Sequence, residues 1–493
     1  MAARSELESL DSSWYEYRKS ALDDAIQNVI DEYEIQDRTD FPRRKTILHL
    51  LYRLKQFGNK HYEYFLRGFA EQELQETPKM PVSRALDIIL RQLSFDLEVI
   101  WRSAIQRHVK DAVYQETLAQ ADALAHQALE FALDRQLLEP TPENDKWTVL
   151  TYLQKAATIR VIPYANVALI GVPISTLREK RDYLAIPHEV GHVVYWRRML
   201  KSNKEYPRAV NRAYLQKPSS KDALDTWQEE IFADVFGAMV AGPVLALDFQ
   251  EIEFGHEWNA FLTNDDEHPT PARRPLLYTY VLEQRGEHEI AVKLRKRWLA
   301  LLQQRQKHAE GQGLLHSETS GSSTTNPDTA IPPIPSVTPE SQPEAVLAQA
   351  LKEAESGVLD DLFKNKIDAA LALIPPGPKS DWSGDDFVAQ LERLNENPNG
   401  SYPYVAYNRF VRELPKLSDE NELDPIDVPF NLWKAWIEQQ GFFSSAAGIA
   451  VQTNGKIPPG TGSDLRQPPN GTWVQVLHAT GWTSDGPSES KWP

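Results

Sequence analysis

The segment Ala185-Ile-Pro-His-Glu-Val-Gly-His-Val-Val-Tyr-Trp196 contains two histidines, His188 and His192, placed four residues apart. Residues at this spacing share one face of an α-helix, so both imidazoles can reach the same metal ion. The valines around them favour a helix packed against a core. Pro187 fits the first helical turn, where its missing N–H costs little. The segment therefore predicts a helix that carries a metal site on one face.

Glu189 completes a His-Glu-x-x-His pattern with these two histidines. It lies beside the metal without being a ligand, and its carboxylate can take a proton from a metal-bound water. Zinc suits imidazole ligands, and a catalytic zinc site leaves one position open for water. We therefore expect one Zn²⁺ per chain. The alternative is a buried helix with two structural histidines.

A third ligand is predicted in the apolar segment Asp225–Val240, which contains Glu230 and Asp234, again four residues apart. Carboxylates on an apolar helix are costly to bury unless they are paired or bind a metal. We predict that Glu230 binds the metal and that Asp234 accepts the second N–H of a ligating histidine. The alternative for these carboxylates is a solvent-exposed acidic face.

The two segments together resemble the gluzincin zinc peptidases over roughly residues 160–280. The resemblance implies that His188, His192 and Glu230 are the metal ligands. It also implies that Glu189 is the general base and that Asp234 supports a ligand. Because these enzymes cleave peptide bonds with a metal-activated water, the expected function is that of a zinc-dependent endopeptidase acting on a protein or peptide.

The segment His268-Pro-Thr-Pro-Ala-Arg-Arg-Pro275 resembles the His-Pro-Pro and downstream arginine of membrane-embedded prenyl-protein peptidases. Peptide hydrolysis needs a donor that stabilises the oxyanion. His268 is the first candidate for that donor, followed by Tyr278 and Arg273. The branched apolar residues of Ala157–Ile174 predict one or two strands. Asn166–Gly171 is the expected sheet edge where a peptide substrate pairs, and an ordinary buried strand is the alternative.

Composition narrows the class of protein. The chain has 493 residues, 25% of them charged and 41% hydrophobic, as in soluble globular proteins. A net charge of −17 disfavours nucleic acid and anionic membrane surfaces as partners. The sequence shows no secretory signal, and we expect that no apolar run approaches the roughly 18 residues needed to span a bilayer. We therefore expect a cytoplasmic protein without a membrane span. The absence of cysteine excludes disulfides and thiolate ligands.

The chain is expected to be mainly α, with an α+β zincin-like core that contains a small sheet. A helical N-terminal region is predicted for residues 1–145 and the metallopeptidase core for 146–310. A disordered linker rich in serine, threonine and proline is predicted for 311–343. An acidic, tryptophan-containing unit is predicted for 344–493. We expect that separate C-terminal unit to regulate access to the core or to bind a protein partner.

Two other functions remain open from the sequence. The chain could be a non-catalytic binding or scaffold protein stabilised by zinc, or a toxin-like effector whose C-terminal unit serves delivery or partner recognition. The presence of Glu189 favours an enzyme over a scaffold, because a purely structural zinc site has no use for a base at this position.

Overall fold

The structure is a computed structural model. It describes residues 2–35, 41–70, 82–138, 146–160, 162, 164–198, 227–263, 268–312, 314, 343–374, 389, 391–393, 414, 417 and 421–423. The described residues fall into two compact units, one within residues 1–217 and 414–493 and the other within residues 218–413. Most of the predicted linker at 311–343 lies outside the described residues. So does most of the sequence beyond residue 374.

The first unit begins with helices, which confirms the mainly α fold. They are α1 (Ala2–Ile35), α2 (Arg44–Ala70), α3 (Val82–His108) and α4 (Ala112–Asp134). Helices α1, α2 and α3 pack against one another around a buried apolar cluster. In α4, Asp111 caps the N-terminus by accepting the N–H of Val113 at 2.8 Å. Because the buried face of α4 is largely alanine, its backbone can approach neighbouring elements closely.

A small sheet follows α4. Its strands are β1 (Thr148–Gln154), β2 (Thr158–Arg160) and β3 (Val167–Pro173), in the order β1-β3-β2. Strand β1 runs parallel to β3, with Thr148 opposite Val167. Strand β2 runs antiparallel to β3, with Arg160 opposite Leu169. The sheet confirms the prediction of a mainly α chain with a small sheet. Helix α5 (Ile186–Arg198) follows the sheet in the sequence.

The prediction that Asn166–Gly171 forms a sheet edge is wrong. Strand β3 is central, because β1 pairs with it along its whole length and β2 pairs with it on the other side. Strand β1 is not among the strands predicted from the sequence, although the threonines, valine and tyrosine of Thr148–Gln154 are typical of strands. The buried-strand alternative is the correct one for β3.

Side chains from α3 and α4 close the outer edge of β1. Thr151 donates its backbone N–H to Asp122 at 2.9 Å, and its carbonyl accepts from Arg107 at 2.7 Å. Gln106 forms bonds of 2.7 and 2.8 Å with the backbone N–H and carbonyl of Leu153. These bonds occupy the groups that would otherwise pair with another strand.

The second unit is helical in its described part. Its helices are α6 (Gln228–Phe254), α7 (Trp258–Leu262), α8 (Arg274–Gln284), α9 (His288–Gly311), α10 (Pro343–Ser356) and α11 (Asp361–Leu373). Helices α8, α9 and α11 pack against α6. Helix α6 is kinked at Gly242, whose φ of 60° and ψ of −138° are not helical. Pro243 follows and cannot donate an N–H to the helix, which explains the position of the kink.

One of the described helices, α6, is long and apolar enough to cross a membrane, judged by length and composition. By that measure the expectation that no apolar run reaches such a length is wrong. Within α6, 94% of the most apolar 18-residue window is buried inside the protein. Buried core helices of soluble proteins meet the same criterion.

Helices α10 and α11, predicted to begin a separate C-terminal unit, belong to the same compact unit as α6 to α9. Glu353 of α10 is buried and accepts hydrogen bonds of 3.0 and 2.7 Å from Arg273. The Arg273 guanidinium also pairs with Asp360 and lies 4.7 Å from the centre of the Phe363 ring. The predicted limits at residues 145 and 310 likewise lie inside these compact units.

The packing of α11 can be tested with two adjacent residues. Phe363 is fully buried, so Phe363→Ala should lower the free energy of unfolding by about 3–5 kcal/mol through the cavity it leaves. Leu362 is 57% exposed, and Leu362→Ala should change the free energy by less than about 0.5 kcal/mol. Urea denaturation of the full chain, followed by tryptophan fluorescence, measures both. Equal losses would contradict the described packing.

Candidate metal centre

The His-Glu-x-x-His segment lies on helix α5 (Ile186–Arg198), which confirms the prediction of a helix there. A short 3₁₀ helix, Lys180–Ala185, leads into it, and Pro187 falls in the first turn as expected. Val190 and Val194 are fully buried, and α5 packs against α4, β2 and β3. The packing fixes the helix, and with it the face that carries the histidines.

The two histidines on α5 converge on each other. They are 6% and 4% exposed, and the Nε2 atoms of His188 and His192 are 3.1 Å apart. Their rings are nearly perpendicular, at 86°, with centroids 4.8 Å apart. Nitrogen ligands at 2.0–2.1 Å from a tetrahedral zinc ion are separated by about 3.3 Å. The spacing of the two Nε2 atoms therefore fits two ligands of one metal ion.

Glu189 is buried, with 8% of its surface exposed. Tyr152 of β1 lies within its electrostatic influence. Burial is the largest cause that raises the pKa of the Tyr152 phenol to about 12, and the Glu189 carboxylate adds to the rise. The predicted general base thus lies in the interior of the protein.

Glu230 lies in the first turn of α6, where the partial positive charge of a helix N-terminus favours a carboxylate. Its side chain is 13% exposed. Two nitrogen groups approach its Oε2 atom: Nε2 of His268 at 3.5 Å and Nη2 of Arg274 at 3.6 Å. The His268 side chain is 39% exposed, so one part of it faces solvent.

His188, His192 and Glu230 each offer one atom that could bind a metal ion: an imidazole nitrogen from either histidine and a carboxylate oxygen from Glu230. Two imidazoles and one carboxylate are a donor set that catalytic zinc sites use, with the fourth position left to water. The donor set therefore fits the ion that the sequence analysis expects.

Asp234 is fully buried and accepts three hydrogen bonds from α8. Arg274 donates through Nε to Oδ2 and through Nη2 to Oδ1, both at 2.7 Å. The Tyr278 hydroxyl donates to Oδ1 at 2.7 Å. This is a two-pronged arginine–carboxylate pair with a third donor added. The bond predicted from Asp234 to a ligating histidine remains a prediction.

The two donors to Asp234 keep their protons. Burial disfavours the charge on Arg274, but Asp234 and Glu253 outweigh it and raise the Arg274 pKa well above its ordinary value. Burial and the Asp234 charge raise the pKa of the Tyr278 phenol well above its ordinary value. Arg274 therefore stays charged and Tyr278 stays neutral across the physiological range, so both remain donors to Asp234.

Arg274, and not the predicted candidate Arg273, is the arginine that binds Asp234. Arg274 and Tyr278 are four residues apart on α8 and thus share a face, a signal that the sequence contained. Arg273 lies at the N-cap, and its guanidinium binds Glu353 and Asp360.

The three candidates for the oxyanion donor differ in their surroundings. Tyr278 directs its hydroxyl to Asp234, and the Arg273 guanidinium is engaged with two carboxylates. His268 is the candidate whose side chain is partly exposed and lies beside Glu230. Its position therefore suits the predicted role better than that of the other two.

Comparison of the chain with protein-family models, with curated proteins and with solved structures gave no match.

The pair between Arg274 and Asp234 should be essential for stability. Arg274→Gln leaves a buried carboxylate without its cation and should lower the free energy of unfolding by about 3–5 kcal/mol. Lys296→Gln removes the same charge at an exposed position of α9 and should change it by less than about 0.5 kcal/mol. Denaturation curves of both variants measure the difference. A loss for Arg274→Gln no larger than for the control would contradict the assignment.

Proposed function

We propose that this chain is a zinc-dependent peptidase that hydrolyses a protein or peptide substrate. The observation that carries the proposal is the pair of buried histidines on α5, with Nε2 atoms 3.1 Å apart and Glu189 on the same helix. His188, His192 and Glu230 would hold the ion. When bound, zinc would polarise the scissile carbonyl and lower the pKa of a water ligand to about 7.

Glu189 would serve as the general base. Its carboxylate would take a proton from the attacking water and pass it to the nitrogen of the leaving amine. Burial on α5 keeps this carboxylate in a region from which bulk water is largely excluded, where electrostatic interactions are stronger than in solvent. A purely structural metal site would not need this residue, and its presence supports an enzyme over a scaffold.

His268 and Arg274 would orient Glu230. Both approach the same carboxylate oxygen, Oε2, at 3.5 and 3.6 Å. The partly exposed His268 would also donate a hydrogen bond to the oxygen of the scissile carbonyl as charge develops there. In this proposal Arg274 has two roles, since it also pairs with Asp234.

Metal content tests the ligand set. Purified protein should hold about one zinc ion per chain, and His188→Ala or His192→Ala should remove it. Glu230→Gln should weaken zinc binding because it removes a charged ligand, whereas Glu229→Gln removes the neighbouring charge and should leave binding intact. Elemental analysis after dialysis against a weak chelator measures all four variants. Full zinc content in both histidine variants would reject the site.

Catalysis is tested separately with Glu189→Gln. This variant should keep its zinc and lose at least about 100-fold in the rate of peptide cleavage, because it lacks the base but no ligand. Cleavage of a peptide library by the wild type and the variant, with zinc measured in both, gives the comparison. A wild type that binds zinc but cleaves nothing would favour the scaffold alternative. Equal cleavage by both proteins would show that Glu189 is not the base.

A further inference from the structure

A short segment from late in the chain, Asn421–Leu423, docks on the helices of the first unit. Leu423 is 1% exposed and belongs to the buried apolar cluster of α1, α2 and α3. The Glu422 carboxylate accepts backbone N–H groups at the start of α2: Arg43 at 3.1 Å, Lys45 at 2.9 Å and Thr46 at 3.3 Å. The segment thus places the carboxylate of Glu422 at the start of α2 and the side chain of Leu423 in the apolar cluster.

The backbone before α2 is shaped to receive that anion. Arg43 has a φ of 68°, a left-handed conformation that non-glycine residues rarely adopt and that carries a conformational cost. This conformation, followed by the helix, directs the N–H groups of Arg43, Lys45 and Thr46 toward the Glu422 carboxylate. Arg43 has no acceptor atom in its side chain and cannot cap α2 itself. Glu422, distant in sequence, supplies the cap.

Charge balance also depends on Glu422. Arg43 is buried, and its guanidinium donates to Thr148 Oγ1 at 2.5 Å and to the Val149 carbonyl at 2.6 Å. The nearby charges that influence it are two carboxylates, Asp122 and Glu422, and a second arginine. That arginine, Arg107, is itself paired with Asp122 at 2.7 Å. With Glu422 in place the group has two cations and two anions. Removal of Glu422 would leave buried positive charge in excess.

Asn421 and Leu423, the residues on either side of Glu422, also form hydrogen bonds with the first unit. The Asn421 carbonyl accepts from Thr148 Oγ1 at 2.6 Å and from Arg43 Nη1 at 3.2 Å. The Asn421 amide nitrogen is 3.1 Å from Nε2 of His126 on α4. The backbone N–H of Leu423 donates to Thr46 Oγ1 at 3.3 Å. Each of the three residues therefore has its own contacts.

We propose that the first unit carries a peptide-docking site whose occupant is Asn421–Leu423 of the same chain. The site recognises a carboxylate followed by a leucine: backbone N–H groups bind the carboxylate and the apolar cluster binds the leucine. It anchors the sequence beyond α11 to the first unit. The proposal does not depend on the metal centre.

A released variant tests the site. In the full-length chain, the changes Glu422→Lys and Leu423→Asp should release the segment and leave the site open. A fluorescent peptide with the sequence of residues 418–425 should then bind it at least about tenfold more tightly than it binds the wild type, where the linked segment competes. The same peptide with Glu422→Gln should bind about tenfold more weakly, because it loses a charged acceptor. The peptide with Glu420→Gln is the matched control and should bind like the unchanged peptide. Fluorescence anisotropy measures each affinity.

Three results would overturn the proposal: equal binding to the wild type and the released variant, no binding to either, or equal binding of the two peptides that carry Glu422→Gln and Glu420→Gln. A second measurement applies even if the released variant does not fold. In the full chain with the single change Glu422→Gln, the amides of Lys45 and Thr46 should exchange hydrogen about tenfold faster than in the wild type. Amides in the middle of α4 serve as the reference. Unchanged exchange at Lys45 and Thr46 would also overturn the proposal.

Discussion

Pairing of buried charge is the constraint that recurs through both compact units. Asp234 on α6 is matched by Arg274, and Asp122 on α4 is matched by Arg107. Arg274 donates from two nitrogens to the two oxygens of Asp234, whereas Arg107 donates from Nη2 to both oxygens of Asp122. Such charge-assisted hydrogen bonds offset part of the cost of removing both charges from water. Because one partner left alone would be strongly destabilising, these pairs fix which helices and strands can lie together.

Local patterns were enough to predict part of the candidate site. The four-residue spacings of His188 with His192 and of Glu230 with Asp234 predict shared helix faces, and both pairs do lie on helices. The donors that meet Asp234 could not be predicted in the same way, since Arg274 is 40 residues away in sequence. Spacing identifies residues on one face, but it does not identify the face that packs opposite.

The same limit explains the errors in the fold. The helices and the buried strand β3 follow from periodicity and from branched apolar residues. The role of β3 as the central strand depends on β1, whose pairing is set by contacts outside the local sequence. Helices α10 and α11 were expected to begin a separate unit because a polar stretch precedes them. Their buried residues, Phe363 among them, lie in the compact unit that contains α6. A polar stretch in the sequence does not determine where the helices that follow it pack.

Glu230 and Asp234 lie one turn apart on α6 and have different roles. Asp234 stabilises the fold, and Glu230 is the proposed metal ligand. Asp234 is fully buried and held by three hydrogen bonds of 2.7 Å, a geometry that leaves it little freedom. Glu230, one turn earlier, is 13% exposed, and its distances to His268 and Arg274 exceed those of strong hydrogen bonds. Because Arg274 contacts both, the rigid pair with Asp234 places a cation beside Glu230. Glu230 thus lies at the start of α6 beside a cation that is held in place by Asp234, and the role proposed for its carboxylate is to bind the metal ion.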